Sequence, residues 1–291
     1  MSIDNKNLVV IKGGGDIATG TIHKLVRSGF KCIVLELDKP SAIRRSVAFS
    51  ESMYDGRCTV EGVEAVRAEN LEEALEIVEE GKVAITSKVL SVNSDVYIDA
   101  TISKKQSADI RNLAPMTIGL GPGFSAGENV DIVIETMRGH NLGRIITEGS
   151  AVPNTGIPGV IAGHSRDRVV YSPTAGEFIG LNSIGDTVTA GEKIGFVLKD
   201  ESSEKEYVIA TISGILRGII RDGYYVTEAF KTADIDPRIS EYDNCFTISD
   251  KARCIAGSVL EVVMNFKNNK ENKNNYNLRK ISPNARAGHL R

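Results

Sequence analysis

The chain has 291 residues, of which 41% are hydrophobic and 25% are charged, and its net charge is −3. This length favours about two domains with a core large enough to fold without disulfides. The acidic balance argues against nucleic acid as a partner. No apolar run approaches the roughly 18 residues that span a bilayer, so the sequence predicts no membrane segment and a cytoplasmic protein.

Four cysteines are present, and no two of them form a Cys-x-x-Cys pair. That spacing argues against a zinc site, and we expect reduced thiols rather than disulfides in a reducing compartment. The sequence therefore predicts no metal site.

The first predicted elements form a βαβ unit around a glycine-rich loop. Residues 8–11 are an apolar run typical of a buried strand, and residues 16–28 have helical spacing that ends at Gly29. Residues 32–35 predict a second buried strand. A strand, a crossover helix and a second strand in this order predict a parallel sheet.

The loop between this first strand and its helix matches Gly-x-Gly-x-x-Ala, a fingerprint of dinucleotide binding. Its glycines permit a tight turn and a close approach of a pyrophosphate to free N–H groups at the helix start. An acid after the second strand, Glu36 or Asp38, would bind a ribose hydroxyl. Alternatively, the glycines only make a turn and the acid beside them caps the helix. The candidate binding residues are Gly13, Gly14, Gly15, Asp16, Ala18 and Glu36.

Further elements follow less regularly. Residues 71–79 predict an amphipathic helix. Arg44 and Arg45 could contact a 2′-phosphate, but a solvent-exposed pair on a short helix is the favoured interpretation. Proline and glycine cluster over residues 153–163 and indicate a domain boundary. Additional short strands are predicted at residues 83–85, 96–98, 117–118 and 132–134.

An internal repeat follows this boundary. Residues 172–196 align without gaps on residues 210–234, at an offset of 38, with six identical positions. Two copies predict a pseudo-twofold β unit in which each copy buries the apolar face of the other. Residues 184–194 resemble a turn of the biotinyl and lipoyl carrier domains, which implies a flattened β-barrel. Lys205 lacks the flanking residues of the modified carrier lysine, so no covalent biotin or lipoate is expected.

A second polar cluster occupies two segments after the predicted strands. Residues 118–127 form a glycine-rich loop, and residues 133–144 combine acidic, basic and histidine side chains. Such a group could bind an anion and move a proton, although an internal ion pair and a loop histidine are the alternative. The candidate residues are Gly121 and Gly123 for binding, and Glu135, Arg138 and His140 for catalysis.

These motifs together resemble the selenium-dependent molybdenum hydroxylase system protein family (YqeB type). The family is associated with maturing molybdenum hydroxylases that need labile selenium, and it is distantly similar to xanthine dehydrogenase accessory proteins. Lys12 and the triple glycine depart mildly from the expected Arg and Gly-Ala-Gly. The matching segments are residues 12–20, 44–49, 59–62, 118–127, 133–144, 154–159, 234–238 and 248–253.

The resemblance and the glycine loop together imply an accessory factor that binds a nucleotide-bearing ligand and helps to install selenium or the finished cofactor. The candidate ligands are NAD(P) and molybdopterin dinucleotide. Its partner would be a molybdenum hydroxylase apo-enzyme or another maturation factor. Two rival hypotheses are an NAD(P)-dependent oxidoreductase with His140 as proton donor, and a non-catalytic module that docks a partner through its duplicated β unit.

The predicted fold class is α/β, with a Rossmann-like parallel sheet, a small duplicated barrel-sandwich hybrid-like β-barrel and a C-terminal helix. The predicted divisions are a nucleotide-binding domain over 1–165, the duplicated β domain over 166–238, a packing helix over 239–266 and a disordered basic tail over 267–291. The tail holds seven basic residues and one acid.

Overall fold

A computed structural model of the chain describes residues 7–88, 92–199 and 204–271. The predicted tail beyond Glu271 lies outside these residues. Short 3-10 turns occur at Arg45–Val47, Phe49–Glu51, Arg166–Arg168 and Ile239–Cys245. The helices are α1 (Asp16–Arg27), α2 (Ser52–Asp55), α3 (Leu71–Glu79) and α4 (Asp250–Glu271).

The first part of the chain forms most of its strands around the predicted βαβ unit. These strands are β1 (Leu8–Lys12), β2 (Lys31–Leu35), β3 (Arg57–Val60), β4 (Val63–Arg67), β5 (Val83–Thr86), β6 (Val96–Asp99), β7 (Met116–Leu120), β8 (Ser125–Ala126), β9 (Ile132–Ile134), β10 (Ile145–Ile146) and β11 (Gly149–Ser150). Strands β8 and β11 pair with each other as a small separate ribbon.

Within the described residues, the main sheet has nine strands in the order β10-β9-β7-β6-β1-β2-β5-β4-β3. The strands from β9 to β4 run parallel to their neighbours. Both edges are antiparallel, because β3 pairs with β4 and β10 pairs with β9 in opposite directions. From β1 the chain goes first to β2 and later to β6 on the other side, so the strand order reverses at β1.

Alternate side chains of β1 enter different cores on the two faces of the sheet. Val9 and Ile11 pack with apolar residues of α1 and α4, whereas Leu8 packs with residues of α3 on the opposite face. This alternation follows from the period of two in a strand. Because both faces are covered, β1 contains a nearly continuous apolar run, as the sequence predicted.

The helices α1 and α4 pack closely against each other where they cross. A Cβ added to Gly20 of α1 would lie 2.7 Å from the Cβ of Ala252 in α4. The Ser249 Oγ accepts a hydrogen bond from the Ala252 N–H at 3.2 Å and so caps the first turn of α4. The close crossing places the start of α4 beside the start of α1.

The second part of the chain forms two antiparallel sheets. Within the described residues, the strand orders are β12-β19-β17-β14 and β16-β15-β13-β18. These strands are β12 (Val169–Tyr171), β13 (Gly176–Gly180), β14 (Thr187–Val188), β15 (Lys193–Leu198), β16 (Lys205–Ile209), β17 (Gly214–Ile219), β18 (Tyr225–Val226) and β19 (Lys231–Asp236).

This part confirms the predicted internal repeat. An offset of 38 residues relates β13 to β17, β14 to β18 and β15 to β19, and the strand orders of the two sheets exchange under the same offset. Phe178 of one sheet and Leu216 of the other are fully buried in one shared core. Each copy therefore contributes strands to both sheets and buries the apolar face of the other.

The predicted fold class is wrong in both of its sheet assignments. The main sheet is mixed rather than parallel, because the tight turn at Glu61–Gly62, with φ values of 45° and 80°, folds β3 back onto β4. The duplicated part is not a closed barrel-sandwich hybrid, because none of its described strands pairs with a strand of the other sheet. The C-terminal helix is present, and it continues to Glu271.

The four cysteines are free thiols. Cys32 is fully buried in β2, and burial raises the pKa of its thiol. No helix among the described residues has the length and apolar content needed to cross a membrane.

Candidate functional site

The glycine loop opens onto a cavity at the carboxyl end of β1. Gly13 has a φ of +96°, a conformation that favours glycine, and it turns the chain toward α1. Gly15 is the N-cap residue of α1, and no side chain caps the first turn. A Cβ added to Gly15 would meet nothing within 4 Å. The first turn of α1 is therefore uncapped, and the space beside Gly15 is open, as an anion site requires.

Two carboxylates flank this loop in different ways. The Glu36 Oε2 accepts a hydrogen bond from the Gly14 N–H at 2.7 Å, and its Oε1 accepts one from the Leu37 N–H at 2.8 Å. A carboxylate has about four acceptor positions, so Glu36 can accept further bonds from a ligand. Asp16 is the first helical residue, and its Oδ2 lies 3.5 Å from the Arg44 guanidinium, which offsets its negative charge.

The first of three neighbouring cavities, the apolar cavity, has a volume of about 830 Å³. It contains the glycine loop and Glu36 at one end. Ala18 contributes to its wall and is 1% exposed, so it lets α1 lie close to the sheet. The other walls are mainly apolar, and they are formed by Leu35, Leu37, Pro40, Tyr97, Ile102, Ile110 and Leu113.

The second cavity, the basic cavity, has a volume of about 620 Å³ and begins on the other side of Gly15. Gly15, Asp16 and Ile17 line both this cavity and the apolar one. A third, outer cavity of about 460 Å³ shares part of its wall with the basic cavity. The cationic side chains of the basic cavity are Arg44, Lys104, Arg138, Arg168, Arg217, Lys231 and Lys251.

Three of these cations are matched by aspartates. Arg44 contacts Asp16, Arg168 contacts Asp234 at 2.5 Å, and Arg138 forms a two-bond pair with Asp250 at 2.6 Å for each bond. Arg44 is 8% exposed and also donates to two backbone carbonyl groups. The prediction that Arg44 and Arg45 form a solvent-exposed pair is therefore wrong for Arg44, because the β unit and the segment before α4 cover it.

Arg217 and Lys251 have no ion pair with a carboxylate in the described part of the chain. Arg217 lies on β17, and its buried Nε has no hydrogen-bond partner. Burial lowers the pKa of the Lys251 ammonium, and the nearby Arg138 charge lowers it further, whereas the carboxylates of Asp16, Glu135 and Asp250 act in the opposite direction. The basic cavity therefore brings like charges together without a matching number of acids.

The predicted catalytic residues occupy three different environments. Glu135 is 2% exposed, and its two carboxylate oxygens accept hydrogen bonds from the backbone N–H groups of Met137 at 2.7 Å and Val152 at 2.8 Å. This carboxylate ties two loops together. Arg138 lines the basic and outer cavities. His140 is exposed and lines none of the three cavities, so the structure does not bring the three residues to one point.

The predicted binding glycines after β7 serve close packing. A Cβ on Gly121, which has a φ of +88°, would lie 2.9 Å from the Thr136 hydroxyl. A Cβ on Gly123 would lie 2.8 Å from the Lys105 carbonyl oxygen. Neither glycine lines any of the three cavities described above, whereas Pro122 between them lines the basic one.

Sequence reasoning missed Arg168, Arg217 and Lys251. One signal was available in the repeat, because the offset of 38 aligns Arg217 with Ile179. A charged residue at the position of an apolar one marks a difference between two otherwise similar copies. Lys251 gave no local signal, because it stands at the start of a helix with an ordinary apolar stripe.

The Arg138–Asp250 pair makes stability depend on pH. Hydrogen bonding to Arg138 lowers the pKa of Asp250 from its ordinary 3.8 to about 2. A carboxyl group with a lowered pKa stabilises the folded state above about pH 4, and this contribution is lost as the pH falls toward 2. Since both side chains are largely exposed, we expect Arg138→Gln to cost about 0.5 kcal/mol at pH 7.

Thermal unfolding of the wild type and Arg138→Gln between pH 7 and pH 2 would measure this effect. The midpoint difference should be roughly 1–2 °C at pH 7 and should disappear near pH 2. The control is Arg57→Gln, because Arg57 is exposed and its nearest acid is 3.7 Å away. A difference that persists unchanged at pH 2 would contradict the assigned role of the pair.

No protein-family model matches the chain. Among solved structures, the chain matches a succinylglutamate desuccinylase/aspartoacylase from Rhodobacter sphaeroides with 16% sequence identity and a TM-score of 0.25. This match covers 50% of the present chain and 59% of that protein's chain. An aspartoacylase family protein from Mesorhizobium loti matches with 14% identity, 79% and 85% coverage, and a TM-score of 0.26.

A protein of Escherichia coli (strain K12), the uncharacterized protein YqeB, is 42% identical over 262 residues. The match covers 88% of this chain and 47% of YqeB, so the chain spans about half the length of that relative. The comparison supports the YqeB-type part of the sequence resemblance. It does not address selenium, molybdenum hydroxylases or xanthine dehydrogenase accessory proteins. Over most of its own length, the chain is therefore a relative of YqeB.

Proposed function

We propose that the chain binds a ligand containing a nucleoside diphosphate, with the diphosphate at the start of α1. The observation that carries this proposal is the uncapped first turn of α1, which opens at Gly15 between the apolar and basic cavities. Free backbone N–H groups and the helix dipole favour an anion at this position. The absence of a side chain at Gly15 leaves room for a diphosphate.

The apolar cavity supplies the features that a nucleoside needs. Glu36 stands beside the glycine loop and retains acceptor positions for ribose hydroxyl groups. Leu37 and Leu113 are large apolar side chains with exposed fractions of 69% and 52%. A nucleobase packed against these side chains would cover apolar area that is otherwise in contact with water.

The position of the cavities in the sheet also supports a ligand site. Lys12 ends β1, and residues 100–102 follow β6; both line the apolar cavity. Because the strand order reverses at β1, the carboxyl ends of β1 and β6 flank a crevice. Ligands of open sheets with parallel strands commonly bind at such a reversal.

Calorimetric titration of the purified protein with ADP, GDP, CDP, NAD(H) and NADP(H) would test the proposal. Binding of at least one of them is expected, and the preferred compound would identify the base. Absence of heat with every one of these compounds at millimolar concentration would contradict the proposal.

Substitution of Glu36 by glutamine tests the assigned orientation of the nucleoside. A hydrogen bond to a charged group contributes about 1.5–3 kcal/mol, so the wild type should bind the preferred ribonucleotide at least tenfold more tightly than its 2′-deoxy form. Glu36→Gln should lose this preference. Glu64→Gln, at a strand outside the cavities, is the matched control. An unchanged preference in Glu36→Gln would place the ribose elsewhere.

We further propose that this binding serves the maturation of selenium-dependent molybdenum hydroxylases, with molybdopterin dinucleotide as a candidate ligand. The support is the motif resemblance, together with the relationship to YqeB-type proteins. Deletion of the gene should abolish selenium-dependent hydroxylase activity while leaving the amount of hydroxylase polypeptide unchanged. Full activity after deletion would remove this role without affecting the binding proposal.

The oxidoreductase hypothesis has weaker support, because His140, its proposed proton donor, is exposed and outside the cavities. The docking hypothesis can be tested with a variant in which the proposed nucleotide site is blocked. Co-purification with a hydroxylase that is unaffected by Gly15→Asp would favour docking without a nucleotide.

A further inference from the structure

Seven cationic side chains line the basic cavity, whereas its lining includes two carboxylates, those of Asp16 and Asp234. Arg217 and Lys251 come from different parts of the chain, β17 and the start of α4, and both line this cavity. Neither forms an ion pair with a carboxylate among the described residues, whereas Arg44, Arg138 and Arg168 each do. The two are therefore available to an external anion.

The surroundings of these two residues add to the positive potential. Arg138 lines the same cavity and acts on Lys251 as a like charge, and the carboxylates of Asp16, Glu135 and Asp250 partly offset this effect. Lys104 and Lys231 also line the cavity. The N-terminus of the long helix α4 adds its dipole at Ser249, which lines both the basic and outer cavities. Like charges that converge in a partly buried space repel one another, and a bound anion removes that repulsion.

We infer that the basic cavity is a second anion site, in which Arg217 and Lys251 bind a phosphate monoester or a similar tetrahedral oxyanion. Arginine binds such groups through paired N–H donors, and lysine contributes a point charge. The inference rests on the proposed function only for the identity of the complete ligand, which would carry a nucleoside diphosphate at one end and a separate phosphate group at the other.

The experiment uses inorganic phosphate as the probe and Gly15→Asp as the background. A carboxylate at position 15 excludes phosphate from the start of α1, so any remaining binding reports on the basic cavity. We expect calorimetry to show one phosphate site in Gly15→Asp, weakened at least tenfold by a second substitution, Arg217→Gln or Lys251→Gln. Addition of Arg57→Gln, the exposed control, should leave phosphate affinity unchanged.

The possible outcomes separate this inference from the proposed function. If both second substitutions leave the phosphate affinity of Gly15→Asp unchanged, the second site is wrong. Gly15 also lines the basic cavity, so if Gly15→Asp binds no phosphate at all, Arg217→Gln and Lys251→Gln are measured in the wild-type background, and unchanged phosphate binding in both refutes the second site. If the wild type binds no nucleotide but phosphate still binds in an Arg217-dependent manner, the proposed function fails and the second site remains. Lys251→Gln carries the test if Arg217→Gln does not fold, because Lys251 lies at a helix start rather than in a sheet.

Discussion

Replacement of Gly15 by aspartate is expected to abolish nucleoside diphosphate binding while the protein remains folded. The backbone at Gly15 has a φ of −66° and a ψ of 179°, which an aspartate adopts without strain. Its Cβ would meet no atom within 4 Å. Aspartate is also a good N-cap residue, so stability should change by only a few tenths of a kcal/mol.

The loss of binding has a steric and an electrostatic cause. The new side chain would occupy the space where the diphosphate approaches the backbone. Its carboxylate would also accept hydrogen bonds from the N–H groups of the first turn. Two like charges about 4 Å apart repel by about 4 kcal/mol at an effective dielectric constant of about 20. That energy corresponds to roughly a thousandfold weaker affinity. Calorimetry with the preferred nucleotide would measure it.

The matched control is the same substitution at Gly257. This glycine is exposed on α4, and a Cβ there also meets nothing within 4 Å. Gly257→Asp adds the same charge but lines none of the cavities, so it should retain wild-type affinity. Equal affinities for Gly15→Asp and Gly257→Asp would show that the diphosphate does not bind at the start of α1.

Replacement of Gly20 by valine should lower the free energy of unfolding more than Arg138→Gln or Gly15→Asp does. The added Cβ would lie 2.7 Å from the Cβ of Ala252 and 3.1 Å from its carbonyl carbon and oxygen. These contacts are with the backbone and Cβ of another helix, so α4 must move away from α1. Overpacking of this kind typically costs 1–3 kcal/mol, and we expect about 3 kcal/mol because valine adds further methyl groups at the crossing.

Thermal unfolding would report this effect as a fall in midpoint of roughly 6–12 °C. Gly257→Val is the control, because valine is a better helix former than glycine and has open space at that position. The control should raise stability by a few tenths of a kcal/mol, so the two substitutions should have opposite signs. A stabilised Gly20→Val variant would show that the two helices do not pack as closely as described.

The Gly20 substitution should also weaken phosphate binding in the basic cavity. Movement of α4 displaces Lys251 relative to Arg217, which is fixed in the sheet of β17. Nucleotide binding through Gly15 and Glu36 depends less on α4, because the apolar cavity is lined by residues before 114. The close helix crossing thus positions one wall of the basic cavity.

The local elements of the first unit could be predicted from sequence because each depends on neighbouring residues. The strand at β1, the helix α1 and the helix α3 follow from apolar spacing, and α3 occupies the predicted residues 71–79. The loop glycines and Glu36 could be identified by their spacing from these elements. The repeat could be predicted because both copies share turn glycines at a constant offset.

The fold class could not be predicted in the same way. Apolar runs indicate buried strands but do not show the direction of a neighbouring strand. The antiparallel edges depend on the turn at Glu61–Gly62 and on the loop between β9 and β10. Whether the duplicated part closes into a barrel depends on which edge strands pair across the two sheets, and apolar spacing contains no information on that pairing.

The sequence by itself determined the glycine loop, the helix behind it and the acid beside it, because these features lie within about 25 residues of one another along the first βαβ unit. Only the tertiary structure decided that Arg217 and Lys251 join this loop around a common space, and that Glu135 and His140 do not. The physical reason is separation along the chain. Contacts between residues some 200 positions apart depend on how whole sheets and helices pack, and no local pattern of side chains specifies that packing.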